Sequence, residues 1–268
     1  MSAPTVTATR LTPGTEAPPG ADVLVVGAGL GTGVQALWAG CAAELADRFV
    51  VVGWDMPGHG SSPARDEPTS VADLADALAA LVGDLRESGV ATEGARIAYA
   101  GVSLGGAVAL QLALDHPRLF DGIAVVCSAA RIGEPDAWRE RAAFVAASGT
   151  PSQVTGSAER WFAPGFIERH PDRAAALLHT LQDADRHAYA RLCEALAEFD
   201  VRDRLGEVAT PLLTVHGADD AVCPPPRGEE IVGAVQAGTA VVLEGVAHQA
   251  PAEDPVGTAR ALAAHLLP

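Results

Sequence analysis

There is no lysine in this chain of 268 residues; all 18 basic side chains are arginines. Without a lysine there is no amine to form a Schiff base and none to complete a phosphate-binding Walker loop. Cysteine is scarce too. Cys41, Cys127, Cys193 and Cys223 stand far apart with no C-x-x-C, so neither a zinc ribbon nor a dithiol redox pair is supported. Cys127, inside a strand-like run, reads as a small buried hydrophobe. Positive charge is outnumbered: the formal net charge of −16 argues against nucleic acid and anionic membrane surfaces as partners. The opening MSAPTVTATR lacks the apolar centre of a signal peptide, and no apolar run approaches membrane-spanning length. A soluble, cytoplasmic protein is expected. No internal repeat is visible, and the length suits one α/β domain carrying an insertion.

What the chain does contain is organised around Arg96–Asp115, RIAYAGVSLGGAVALQLALD. Ile97 and Tyr99 mark a buried strand, and the Ala/Leu-rich run from Ala107 to Leu114 marks a helix. Between them lies Gly101-Val102-Ser103-Leu104-Gly105, a G-x-S-x-G in the strand–turn–helix setting of a nucleophile elbow. A serine turned that sharply out of a strand needs small neighbours, which Gly101, Gly105 and Gly106 supply. Ser103 then heads a helix, whose N–H groups favour a developing oxyanion.

Compact apolar runs predict further strands at Val23–Val26, Phe49–Gly53, Gly122–Cys127, Leu212–His216 and Ala240–Leu243, with a weaker one over Thr5–Leu11. PGTEAPPGAD is a turn-rich connector after the weak strand. Helical periodicity covers about 35–47, 69–86 with Ser70 as its cap, 229–235 and 255–267. Strands alternating with helices imply a parallel sheet covered on both faces. From about Gly133 to Leu205 the strand signal vanishes. Helical segments near 136–147, 153–162, 172–182 and 185–198 are punctuated by Pro151, Pro164 and Pro171. The division expected is a core of residues 1–132 and 206–268 with a helical cap at 133–205. His170, His179, His187 and Cys193 in that cap read as surface or packing residues, and no metal or cofactor is expected.

Two residues in the last third complete a constellation. A carboxylate follows one strand in Gly217-Ala218-Asp219-Asp220, and a histidine follows the next in Gly245-Val246-Ala247-His248. Loops beyond the carboxyl ends of parallel strands converge on one edge of the sheet. Ser103, an aspartate and His248 therefore arrive together in the order Ser…Asp…His. His248 would take and return the Ser103 proton, and the aspartate would fix its tautomer. Asp220, deeper in the loop, is preferred to Asp219. The glycine loop Gly27-Ala28-Gly29-Leu30-Gly31-Thr32-Gly33 supports two readings. It can donate the second oxyanion N–H, from Leu30, beside the first from Leu104. Alternatively, Gly31-x-Gly33-x-x-Ala36 with Asp55 at the end of the next strand loosely matches a dinucleotide fingerprint, the mark of a nucleotide-dependent oxidoreductase. That alternative leaves the Ser–Asp–His order unexplained.

Leu30-Gly31-Thr32 with Trp38, the run Asp55-Met56-Pro57-Gly58-His59-Gly60 and the elbow carry a resemblance. So do Cys127-Ser128-Ala129-Ala130-Arg131-Ile132-Gly133, Trp138-Arg139-Glu140-Arg141 and Glu159-Arg160-Trp161-Phe162, with Asp220 and His248. On these the chain resembles the α/β-hydrolase superfamily and, within it, the 3-oxoadipate enol-lactonases. The likeness extends over nearly everything after Asp22. It departs from the superfamily in having Ala28-Gly29 where His-Gly is usual, and in an N-terminal region short for a full opening hairpin. The resemblance implies an α/β-hydrolase fold and the opening of a small enol-lactone that bears a carboxylate. Its alternative is another small-ester or C–C-bond hydrolase of the same fold. An anionic substrate meeting an acidic protein needs local cations, and a guanidinium suits a carboxylate. Arg131, Arg139, Arg141 and Arg160 are the candidates, with Arg131 favoured because it follows a strand at the active edge. Trp138 and Trp161 would wall the pocket or pack the cap. The expected partner is a small lactone or ester; nothing in the chain speaks for or against self-association.

Overall fold

The computed structural model describes residues 3–12 and 20–266. Its strands form where apolar, β-branched runs are long enough to be covered on both sides: β2 Asp22–Gly27, β3 Phe49–Trp54, β4 Ile97–Val102, β5 Gly122–Val126 and β6 Leu212–Gly217. With the edge strands β1 (Ala8–Arg10) and β7 (Gly238–Leu243) they make one sheet in the order β1-β3-β2-β4-β5-β6-β7. All neighbours run parallel except β1, which pairs antiparallel with β3 through Ala8↔Trp54 and Arg10↔Val52. Among the described residues this short strand is the only one before β2. The weak strand expected over Thr5–Leu11 thus shortens to three residues, and most of the connector after it (13–19) lies outside the described residues.

Helices cover the sheet. α1 (Val34–Glu44) packs with α11 (Pro255–His265), and α2 (Val71–Glu87) packs with α3 (Leu104–Asp115). Ser70 caps α2 in a reciprocal box: its hydroxyl accepts from Asp73 N–H while the Asp73 carboxylate accepts from Ser70 N–H. Between β5 and β6 the chain leaves the sheet for α4 (Pro135–Ser148), α5 (Val154–Trp161), α6 (Phe166–Arg169), α7 (Pro171–Asp183) and α8 (Arg186–Glu198). Pro135 and Pro171 open their helices, where a missing N–H costs nothing, and Gly149 at φ +81° closes α4. The insertion is fastened to loops leaving the sheet: Gly33 N–H donates to Thr180 Oγ1 at 3.1 Å, and Asp185 N–H to the Gly58 carbonyl at 2.9 Å. Beyond β6, α9 (Pro225–Ala234) packs on β6 and β7, and the short α10 (Ala250–Glu253) precedes α11.

Asp55 settles how the glycine loop is used. Its buried carboxylate accepts from Val34 N–H at 2.8 Å and from Ser61 N–H at 2.9 Å, tying the start of α1 to the loop after β3. An acid so engaged is not available to a ribose hydroxyl, which removes the sequence basis for a dinucleotide site. Among the described residues no helix is long and apolar enough to cross a membrane, and no group of three or more histidine, cysteine or acidic side chains could hold a metal ion.

Candidate active site

Ser103 follows β4 directly with φ 55° and ψ −114°, a conformation few non-glycine residues adopt and one that costs about 1–3 kcal/mol. The surrounding backbone leaves it no other choice. A Cβ on Gly101 would lie 2.0 Å from the Gly105 carbonyl oxygen, and one on Gly106 would lie 2.4 Å from Ser128 Cβ. Ser103 is held from both ends, its N–H donating to the Val126 carbonyl at 3.0 Å and its own carbonyl accepting from Ser128 Oγ at 2.7 Å. Leu104 is the first residue of α3, so its N–H has no intrahelical partner and lies at the positive end of the helix.

Leu30 brings the second such donor, and its loop is braced residue by residue. The buried Thr32 hydroxyl accepts from Gly29 N–H at 2.9 Å and donates to the Gly29 carbonyl at 3.0 Å. Gly31, at φ +83°, donates its N–H to His59 Nε2 at 3.0 Å. His59 Nδ1 donates to the Pro57 carbonyl at 2.9 Å, which makes the ring a neutral acceptor at Nε2. Burial holds this imidazole below the usual histidine range, opposed by its bond to Pro57 and by Asp55 and Asp185. With its neighbours committed, the Leu30 N–H is left without a partner among the described residues.

His248 and Asp220 meet as their loops predict. Nδ1 of His248 lies 2.9 and 3.1 Å from the two Asp220 carboxylate oxygens, and both side chains are almost wholly buried. Asp220 Oδ1 also accepts from Val222 and Cys223 N–H at 2.8 and 3.0 Å, so the carboxylate is fixed before it fixes the ring. A carboxylate on Nδ1 places the imidazole proton there and leaves Nε2 as the basic atom. Asp219 is exposed and makes no such contact. Burial, reinforced by Asp220, pushes the thiols of Cys127 and Cys223 well up, and both remain neutral packing groups.

Ser103 and His248 line one cavity of about 190 Å³, together with Leu30, Ile132, Trp138, Arg141, Arg160, Trp161, Tyr189 and Gln249. This is below the ~300–1,000 Å³ usual for drug-sized ligands. Only half of the expected arginines reach it. Arg131, the favoured one, lies off the wall and pairs with Glu134, which does line it. Arg139 is exposed and bridges Asp136 at 2.9 Å and Glu198 at 2.6 Å. Arg141 and Arg160 do line the cavity, and neither has a carboxylate partner among the described residues. Arg141 lies 4.6 Å over the Trp138 ring, a cation–π contact. Arg160 is held below the usual arginine range, first by burial and then by the like charge of Arg141. A Cβ on Gly156 would lie 2.9 Å from Arg160 Nη1, so the guanidinium folds back across a glycine one turn earlier in α5. Thr32, His59, Tyr189 and Gln249 escaped the sequence reading. The first two sit in segments that carried the family resemblance, Gln249 adjoins His248, and Tyr189 has no local signal.

Comparison with known proteins gives a consistent picture. The family described as serine aminopeptidase, S33, matches residues 18–255. The 3-oxoadipate enol-lactonase 2 of Acinetobacter baylyi is 33% identical over 232 residues, covering 87% of this chain and 84% of that one. Among solved structures, a hydrolase from Pseudomonas aeruginosa PA01 superposes with a TM-score of 0.86 at 25% identity, covering 98% of this chain and 94% of its own. The enol-lactonase from Burkholderia xenovorans LB400 does so with a TM-score of 0.83 at 26% identity, covering 97% and 95%.

Proposed function

The chain belongs to the serine aminopeptidase S33 family of α/β-hydrolases, and from that premise we propose that it opens a small, carboxylate-bearing enol-lactone, of the kind 3-oxoadipate enol-lactone represents, through an acyl-enzyme on Ser103. The observation that carries this reading is the pair of arginines, Arg141 and Arg160, facing a small cavity beside Ser103 without carboxylates of their own. In an acidic protein two such cations want an anion, and an enol-lactone acid supplies one.

Ser103 Oγ attacks the lactone carbonyl as its proton passes to His248 Nε2, and Asp220 steadies the imidazolium. The N–H groups of Leu30 and Leu104 receive the oxyanion. Collapse breaks the ring C–O bond and expels the enol oxygen, which takes the proton from His248. The enol stays tethered as the acyl chain and tautomerises to a ketone. Water, deprotonated by His248, then attacks the acyl carbonyl, and Ser103 departs with its proton restored. Residues 133–205 serve as a cap over the core of residues 1–132 and 206–268, and the reaction needs no metal or cofactor. The deciding assay compares hydrolysis of the enol-lactone acid with a panel of p-nitrophenyl esters, using wild type and Ser103→Ala. The reading expects a preference for the charged lactone and a loss of several orders of magnitude in the variant. A preference for neutral esters would assign the chain to small-ester hydrolysis instead. An active Ser103→Ala would refute the triad.

A further inference from the structure

Five residues after His248, at the end of α10, stands a carboxylate outside the Ser103–Asp220–His248 set. Glu253 Oε1 accepts from Ala247 N–H at 3.1 Å and from Gln249 N–H at 3.0 Å, the peptide groups on either side of His248. Its other oxygen, Oε2, accepts from Ala163 N–H at 2.7 Å, in the insertion just after α5. The N–H of His248 itself donates to the Trp161 carbonyl at 3.1 Å. Three consecutive N–H groups are therefore committed, and two of the four bonds reach the segment that carries the cavity wall. A mostly buried carboxylate is an expensive way to satisfy three peptide groups. Burial pushes its pKa up, while the three N–H donors and His248 pull it back.

We propose that Glu253 is a positioning residue: it holds the backbone on both sides of His248 and fastens it to the insertion, so that base and cavity wall are set as one unit. This rests on the reading of His248 as the base. The charge has a second effect through space, since Glu253 and His248 interact electrostatically and the attraction acts on the imidazolium formed during the reaction. The other titratable or charged groups around this knot are Asp220 and His216 on the β6 side and Cys127, whose Sγ donates to the Ala247 carbonyl at 3.5 Å. Arg173 of α7 donates to the Ala252 carbonyl at 3.4 Å, Asp254 caps α11 through Gly257 N–H at 2.9 Å, and Glu134, Arg141, Arg160 and Tyr189 line the cavity with His248. None of these side chains bonds to the three peptide N–H groups, so Glu253 can be tested separately.

The test is the pH profile of kcat and kcat/KM for p-nitrophenyl acetate with wild type, Glu253→Gln, Glu253→Asp, Asp254→Asn and Ser103→Ala, each checked for folding by circular dichroism. Glu253→Gln keeps the shape but loses the charge and turns an NH2 toward N–H donors. It should lower kcat about tenfold or more with KM within about twofold, because sub-ångström misplacement of a base acts on the chemical step. It should also move the acid limb of kcat/KM to lower pH, the direction expected when a nearby negative charge is removed. Glu253→Asp should lower kcat and leave the acid limb in place. Asp254→Asn, which loosens a helix cap alone, should move neither. A folded Glu253→Gln with wild-type kcat and acid limb would overturn the proposal, even if its melting temperature fell. Should Glu253→Gln fail to fold, a wild-type kcat in Glu253→Asp would overturn it. Ser103→Ala separates the two levels: activity there would sink the triad and this proposal together, whereas an inert Ser103→Ala beside an unaffected Glu253→Gln would sink this proposal alone.

Discussion

Replacing Arg141 or Arg160 by methionine keeps most of the side-chain bulk and removes the charge. If a substrate carboxylate bonds to one of these guanidiniums, losing that charge-assisted hydrogen bond costs about 1.5–3 kcal/mol, or roughly 10- to 150-fold in kcat/KM. The structure refines the expectation. Arg160 lies under the like charge of Arg141 and partly out of water, so the two cations share one local field. Two groups serving one carboxylate are not independent, and the double variant should lose less than the sum of the single losses. The assay measures kcat/KM for the enol-lactone acid and for p-nitrophenyl acetate with the same preparations. The neutral ester should change little, since it brings no carboxylate to the arginines. Arg139→Met is the internal control: its guanidinium already binds Asp136 and Glu198 away from the cavity, and its removal should leave the preference intact. Arg131→Met is not a neutral control, because its partner Glu134 lines the cavity and would lose its cation. Equal losses on both substrates would indicate damage to the fold or the triad. Full retention of the preference in Arg141→Met, Arg160→Met and the double variant would refute the reasoning.

Other predictions concern the supporting structure. Asp220→Asn should cost on the order of a thousandfold or more in kcat, while Asp219→Asn should cost almost nothing; a pH-rate series on both variants checks this. Gly156→Ala should gain up to about 1 kcal/mol from helix propensity while displacing Arg160, so thermal unfolding improves as preference for the charged lactone falls. His59 and His216 are held below the usual histidine range by burial. Below about pH 6.5 the unfolded chain therefore binds more protons than the folded one. Stability is full above that pH and declines as pH falls toward the folded values, which urea unfolding at several pH values would show. His59→Leu should flatten that slope and orphan the Gly31 N–H at about 1–3 kcal/mol, with kcat falling as the loop carrying Leu30 loosens.

Where backbone chemistry is local, the sequence was readable. Glycines around Ser103, an acid after β6 and a histidine after β7 are constrained by turns only a few residues long, and strand ends fix the edge on which they meet. The arginines are different. Arg139 and Arg141 are two positions apart on α4, about 200° around the helix, so at most one can face a given cavity. Which one does depends on how α4 rolls against α8, a contact no short segment encodes. Arg141 shares a face with Trp138 three residues earlier, and that pair was the usable hint. Helix boundaries failed for a related reason. Periodicity places a helix at 229–235, yet α9 begins at Pro225, because a first turn needs no N–H donors from its own residues. The four-residue α10, which carries Glu253, is too short to show a period at all.

The strained turn at Ser103 has a consequence for how the protein fails. Its backbone is held by Val126 at the end of β5 and by Ser128 beyond it, and the groups it must meet come from loops after β2, β6 and β7. A strand–helix fragment alone would relax the serine to an ordinary conformation while keeping its secondary structure. In a denaturant titration, catalysis should therefore disappear before the far-ultraviolet signal does. Residual hydrolysis then becomes a finer gauge of native packing than helix content, useful for ranking variants whose spectra look alike.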